Sequence, residues 1–238
     1  MDLVLSGFKQ AFLLIIRLDR ELLRIILLSL KVSAAALFIA AVFGVPLGAV
    51  VGLRRFPLRG AAVSLMNTMM GLPPVVVGLF LYILLSRSGP LGFMGLLYTP
   101  SAMVIAQSVL AFPIVASLSH SAVMGVDPVI RQAALTLGAT PFQAAIAVLN
   151  EARYGVMSAV IAAFGRLMAE VGAILIVGGN IAGLTRVMTT TIALESDKGN
   201  FELALALGII LLMISLAVNA VLYLLQRSGG MKRGRSWA

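Results

Sequence analysis

The sequence contains no cysteine, which removes disulfide bracing, thiolate catalysis and cysteine-bound metal from consideration. It is also poor in charge: 11% of its 238 residues are Asp, Glu, Lys or Arg, where soluble domains carry roughly a quarter. Acids are the scarcer sign, nine against 18 bases. A basic excess suggests nucleic acid when arginine runs alternate with aromatics. Such runs are missing here, and the bases gather at the ends of apolar blocks, as membrane-span flanks do. That excludes a nucleic-acid partner. One histidine, His120, stands among Ser117, Ser119 and Ser121. Adjacent serines cannot all face it, and no GxSxG occurs, so a Ser/His hydrolase is set aside. No GxxxxGK[ST] phosphate loop is present either, so energy for any transport comes from another subunit or an ion gradient. The N-terminus lacks the compact charged, apolar and cleavage regions of a signal peptide; the first span is expected to direct insertion.

What is present is apolar: 61% hydrophobic residues and a mean hydropathy of +1.07. The blocks are long enough for the ~20 residues that cross a bilayer. Five spans are expected, at about Ile25–Leu53, Ala61–Leu85, Ser101–Met124, Gly155–Val177 and Phe201–Gln226. Pro73 and Pro74 lack N–H donors, so the second span must kink or break there. Residues Met1–Arg24 set Val4, Phe8, Phe12, Ile15 and Ile16 against charged neighbours, the pattern of an interfacial helix. Ser86–Pro100 reads as a Gly- and Pro-rich loop, and Gly178–Asn200 as a long connection with a Thr-rich helical piece over Thr185–Glu195. The tail from residue 227 is basic. The fold class is therefore an all-α integral membrane protein, with no internal repeat of the kind that marks inverted-repeat transporters.

Five spans place the termini on opposite sides. Arg54, Arg55, Arg59, Arg131, Arg153 and the tail bases form a modest basic majority. This puts the C-terminus in the cytoplasm and the N-terminus outside.

The most distinctive stretch is Asp127–Arg153. Asp127 suits an N-cap and Pro128 a first helical position. Ile130, Ala133, Ala134 and Leu137 repeat at helical spacing, and Gly138 supplies a left-handed stop. Thr140 and Pro141 restart the pattern, with Phe142, Ala145, Ile146 and Leu149 as a second stripe. Two short helices joined at a bend, lying between spans, are suited to touch a partner in the water phase.

This stretch resembles the cytoplasmic loop of permease subunits of ABC importers, whose pattern is Glu-Ala-Ala, three residues, Gly and an apolar run ending Leu-Pro. Gln132, Ala133, Ala134 and Gly138 match, with Gln in place of Glu; the Leu-Pro ending is absent, Leu149 being followed by Asn150 and Glu151. Downstream, Arg166, Glu170, Gly172, Ala173, Asn180, Ile181, Thr185 and Arg186 fall on a pattern similar to molybdate, tungstate and sulfate permeases, and the following stretch TTTIALESDKGNFELALALGIILL, residues 189–212, is most similar to the tungstate-type branch. The resemblance implies a homodimeric pore, two cytoplasmic ABC ATPase subunits and an extracytoplasmic oxyanion-binding protein. ATP and Mg would be bound by the ATPase and no cofactor by this chain, which is then no enzyme itself. It assigns Arg131, Gln132, Ala133, Ala134, Gly138 and Ala139 to ATPase coupling. Arg166, Glu170, Asn180, Thr185, Arg186 and Thr189 become pore or gate candidates. A permease for sulfate, phosphate or an amino acid, or an ion-coupled secondary transporter, are the competing functions.

The residues themselves leave roles open. Arg166 and Glu170, at i and i+4, would share a helix face, as a gate or as a structural ion pair. Glu170 would repel a dianion, so it is not expected as its ligand. The threonine hydroxyls and Arg186 suit an oxyanion, although a surface helix capping the outer pore mouth and meeting the binding protein is the preferred reading, since high-affinity capture belongs to the separate protein. Lys31 is expected to snorkel to the interface, with anion attraction as the alternative.

Overall fold

The computed structural model of the chain describes residues 12–13, 20–54 and 56–231, with side chains to 221 and at 223 and 224. Among them all regular structure is helical: α1 Arg20–Leu53, α2 Arg59–Met70, α3 Pro74–Leu85, a 3-10 turn Gly92–Met94, α4 Pro100–Met124, α5 Pro128–Thr136, α6 Pro141–Met168, α7 Gly172–Gly178, α8 Met188–Asp197 and α9 Phe201–Met231. Helices α1, α4, α6 and α9 are each long and apolar enough to cross a membrane, and the bent pair α2–α3 makes a fifth span if counted as one. Phe38, Phe43, Leu212 and Leu216 lie exposed on these helices, the arrangement a bilayer favours because lipid tails solvate apolar side chains.

Several boundaries differ from those the sequence suggests. The interfacial helix over Met1–Arg24 falls mostly outside the described residues, but Arg20–Arg24 already form the first turns of α1. The second span breaks at Pro73 and Pro74, as expected: α2 ends at Met70 and α3 begins at Pro74. The reason is local. Pro73 takes an extended backbone at the N-cap and Pro74 sits at the first helical position, where a missing N–H costs nothing.

The fourth span is shifted as a whole. Helix α6 runs unbroken through Arg153 and Gly155 and stops at Met168, so the second coupling helix and the fourth span are one helix. Gly155, expected as the start of the span, lies inside α6, where its missing side chain serves packing. A Cβ there would lie 2.7 Å from that of Ala122. The Thr-rich helix likewise begins at Met188 rather than Thr185.

The chain divides into two compact units, one formed by Met1–Ala36, Pro73–Ser108 and Gly165–Val221, the other by Leu37–Leu72, Val109–Phe164 and the C-terminus. Within the first unit, Leu22 and Ile25 of α1 pack with Met188 of α8 and with Ala206, Leu207 and Ile210 of α9. Within the second, Ala49 of α1, Val123 of α4 and Val148 and Ala152 of α6 form an apolar cluster. Gly48 lets α1 approach α4, since a Cβ there would stand 2.3 Å from the Ala116 carbonyl oxygen.

Candidate functional site

In the second unit, α5 and the start of α6 form an elbow specified almost entirely by local chemistry. The Asp127 carboxylate accepts a hydrogen bond from Val129 N at 2.9 Å, satisfying one orphan donor of the first turn. At the other end the Ala139 N–H donates to the Ala134 carbonyl at 3.0 Å and the Gly138 N–H to Leu135 at 3.1 Å. That pair of bonds is the Schellman closure, which needs a left-handed residue, and Gly138 holds φ at +86°. The chain restarts one residue later. Thr140 N–H donates to Gln143 Oε1 at 2.8 Å and Gln143 N–H to Thr140 Oγ1 at 3.3 Å, a reciprocal capping box. The sequence reading found the cap at Thr140 but missed Gln143, although its position three residues on is the signal.

No residue of α5 is buried. Arg131, Gln132, Ala133 and Gly138 are exposed and Ala134 and Ala139 half-buried. Leu137 is 88% exposed and Phe142 74%. A nine-residue helix is too short to be stable on propensity alone. Its caps hold it in shape while its apolar side chains remain unused.

Arg59, expected only as a flanking charge, closes the end of α1. Its Nε donates to Val51 O at 2.8 Å and Nη2 to Gly52 O at 3.1 Å. A cation at the last carbonyls satisfies them and suits the helix dipole.

The pore or gate candidates lie in the first unit, and the structure corrects their pairing. Glu170 is two residues past the end of α6, so the i, i+4 register with Arg166 is lost; Arg166 is exposed on the last turn, and neither makes an ion pair among the described residues. Glu170 is 4% exposed. Its Oε1 accepts from Ala173 N at 3.0 Å, placing the carboxylate at the N-terminus of α7, where the helix dipole favours it. The structural role is thus capping rather than a salt bridge.

The hydroxyls are also spent internally. Thr185 is fully buried; it donates to Gly178 O at 2.6 Å and accepts from Ile181 N at 2.9 Å. Thr189 donates to the Glu170 carbonyl at 2.8 Å, Thr190 accepts from Val187 N at 3.1 Å, and Thr191 donates to Val187 O at 2.7 Å. The Thr-rich piece is therefore not a surface helix, and Thr185 and Thr189 do not share a helical face. Asn180 takes a left-handed φ of +50° and Nδ2 donates to Thr190 O at 3.4 Å. Arg186 ion-pairs with Glu21 at 3.6 Å.

Thr185→Val keeps the shape but leaves the buried Gly178 carbonyl and the Ile181 N–H without their partner. This is expected to cost about 2 kcal/mol, read as a lowered midpoint of thermal unfolding in detergent.

Sequence reasoning overlooked the contact of α3 with α7. A Cβ on Gly78 would meet the Ala173 Cα at 2.8 Å, and one on Gly172 the Val75 Cγ2 at 2.8 Å. Two glycines, one on each helix, bring the two backbones together.

At the end of α8, Lys198 Nζ donates to Glu195 Oε1 and Asn200 Nδ2 to Oε2, both at 2.8 Å. These bonds, that to Lys198 first, hold the Glu195 carboxyl below its ordinary pKa. A depressed carboxyl stabilises the fold above its unfolded pKa and loses that contribution as pH falls through the folded value. The Lys198–Asn200 amides are therefore expected to exchange hydrogen faster only below the usual carboxylate range. In Lys198→Met that onset moves to higher pH. Among the described residues no three His, Asp or Glu side chains gather as a metal-binding group.

Residues 44–228 match the family described as the inner membrane component of binding-protein-dependent transport systems. The tungstate uptake system permease protein TupB of Peptoclostridium acidaminophilum is 44% identical over 95% of this chain and 99% of its own length. A probable anion ABC transporter permease protein of Haloferax volcanii is 47% identical over 84% of this chain and 88% of its own. Among solved structures, a bacterial alginate ABC transporter in complex with its pentasaccharide-bound periplasmic protein matches with a TM-score of 0.72 at 19% identity. It covers 92% of this chain and 84% of that one. With helices able to cross a membrane, no phosphate loop and an exposed capped elbow, the chain belongs to the family of inner membrane components of binding-protein-dependent transport systems.

Proposed function

We propose that the chain is the permease subunit of an ATP-driven ABC importer of tungstate, with molybdate as the next candidate. The observation that carries this reading is the near-full-length similarity to a tungstate uptake permease. Two copies form the pore, two cytoplasmic ATPase subunits dock on the elbows, and an extracytoplasmic protein delivers the oxyanion. ATP and Mg belong to the ATPase. The exposed elbow supports the docking role: its apolar side chains and small residues Ala133, Ala134 and Gly138 suit a groove on a partner. In this arrangement the N-terminus lies outside and the C-terminus in the cytoplasm.

Arg166 is the gate residue favoured here. An exposed arginine on a membrane-spanning helix faces water or a partner rather than lipid, and the second copy or the pore supplies both. Glu170, Thr185 and Thr189 position the wall, while Asn180 and Arg186 stand on the turn that joins α7 to α8.

A wider anion specificity is the second reading, favoured by the similarity to a probable anion permease. Uptake decides between them. Cells deleted for this gene are expected to lose high-affinity tungstate accumulation, with molybdate competing and a hundredfold excess of sulfate having little effect. Full competition by sulfate would establish the wider reading.

A further inference from the structure

The first three turns of α1 carry Arg20, Arg24 and Lys31 on one stripe, at helical spacings of four and seven residues. Opposite them runs the turn Ala182–Arg186. Between the two lies a groove of about 760 Å³ lined also by Glu21, Ile25, Leu27, Leu28 and Leu184.

Its charge is one-sided. Among the described residues four cations meet one carboxylate, Glu21, and that carboxylate is 3.6 Å from Arg186. The neighbouring acid, Glu195, is already held by Lys198 and Asn200. Arg186 is the anchor: its side chain is only 22% exposed, and its buried Nε–H has no acceptor among the described residues. Lys31 also borders a second, apolar cavity with Val32, Ala35, Pro100 and Val104.

We propose that this groove is an anion site of the permease itself, taking a tetrahedral oxoanion. The anion is either a free dianion or the phosphate of a lipid headgroup. Guanidinium groups offer paired N–H donors matched to such oxygens, and Arg20, Arg24 and Arg186 supply three, with Lys31 as a point charge below. Snorkelling does not account for Lys31 alone, because the stripe it continues is basic from Arg20 onward. The site deepens the importer reading only in the identity of the anion.

The test uses the assembled permease–ATPase complex in nanodiscs of zwitterionic lipid, with tungstate binding measured by equilibrium dialysis. Saturable binding is expected. It should weaken as chloride rises, and fall at least about tenfold in Arg24→Gln/Lys31→Gln, as loss of two of four cations requires. Arg87→Gln, on a distant part of the sequence, is the charge control and should bind as the native complex does. If the double variant does not assemble, Lys31→Gln alone must weaken binding about threefold or more.

Discs doped with phosphatidic acid separate the sources: retention of that lipid in native mass spectra, with tungstate excluded, assigns the groove to headgroups. Tungstate binding undisturbed by phosphatidic acid assigns it to the free oxyanion. Equal binding by native and variant complexes, or no binding of either anion, overturns the proposal. Normal tungstate uptake with an inert groove would sink this inference alone. A groove that binds oxoanions in an importer of some other solute would sink only the function proposed above.

Discussion

Leu137→Glu combined with Phe142→Glu is expected to leave the permease folded and to prevent docking of the ATPase proposed to bind the elbow. Both side chains are almost fully exposed, at 88% and 74%, so neither supports the subunit's own core. Surface changes of this kind alter stability by about 0.5 kcal/mol or less. Apolar anchors at the centre of an interface are worth 2 kcal/mol or more each, and burying a carboxylate in their place adds a desolvation cost. Docking should therefore weaken by a factor of several hundred or more, at about 1.4 kcal/mol for each tenfold. The two readouts separate the effects. Thermal unfolding of the isolated subunit stays within a degree or two, while co-purification with the ATPase is lost. A variant that unfolds early would show that these side chains serve the fold instead.

Gly78→Val acts in the opposite way, on folding rather than assembly. Its new Cβ would stand 2.8 Å from the Ala173 Cα and 3.3 Å from the Ala173 carbonyl oxygen. Backbone cannot rotate aside as a side chain tip can, so α3 and α7 must separate. Overpacking of this kind costs about 1–3 kcal/mol and occasionally more. Here the separation also disturbs Ala173 N, the donor to the buried Glu170 carboxylate. Loss of that bond adds about 1–3 kcal/mol. The expected result is a permease that is degraded in the membrane or unfolds well below the native temperature. Gly78→Ala should show a smaller shift in the same direction.

The legible parts of this sequence were those whose signal is local. Asp127, Pro128, Gly138 and Thr140 announce their caps and turn, and each does what its type and spacing suggest. Pro73 and Pro74 announced a break because a missing N–H cannot be compensated within a helix. Boundaries failed where a residue's local meaning was overridden by packing. Gly155 was expected to begin the fourth span, but it lies against Ala122 within an unbroken α6. The second short helix, expected to end near Arg153, instead continues as that same helix to Met168.

The Arg166–Glu170 pairing failed for a related reason. The spacing argument holds only while the helix continues, and α6 ends at Met168. Thr185, Thr189, Thr190 and Thr191 looked available for a ligand because composition gives no account of hydrogen-bond partners. Their hydroxyls fasten the ends of α7 and α8. The basic stripe on α1 escaped notice for the converse reason: Arg20 and Arg24 were divided from Lys31 by a boundary drawn between an interfacial helix and a span, while α1 is continuous from Arg20.

In the proposed importer this chain moves an oxyanion with energy delivered through the Asp127–Gln143 elbow. Proteoliposomes holding the permease and its ATPase, supplied with the binding protein and tungstate outside and ATP inside, test it directly. Tungstate should accumulate only with hydrolysable ATP, and Leu137→Glu/Phe142→Glu should abolish accumulation while the permease remains folded in the bilayer. Accumulation driven by a proton or sodium gradient without ATP, or undiminished in that variant, would show that the elbow does not couple ATP hydrolysis to transport.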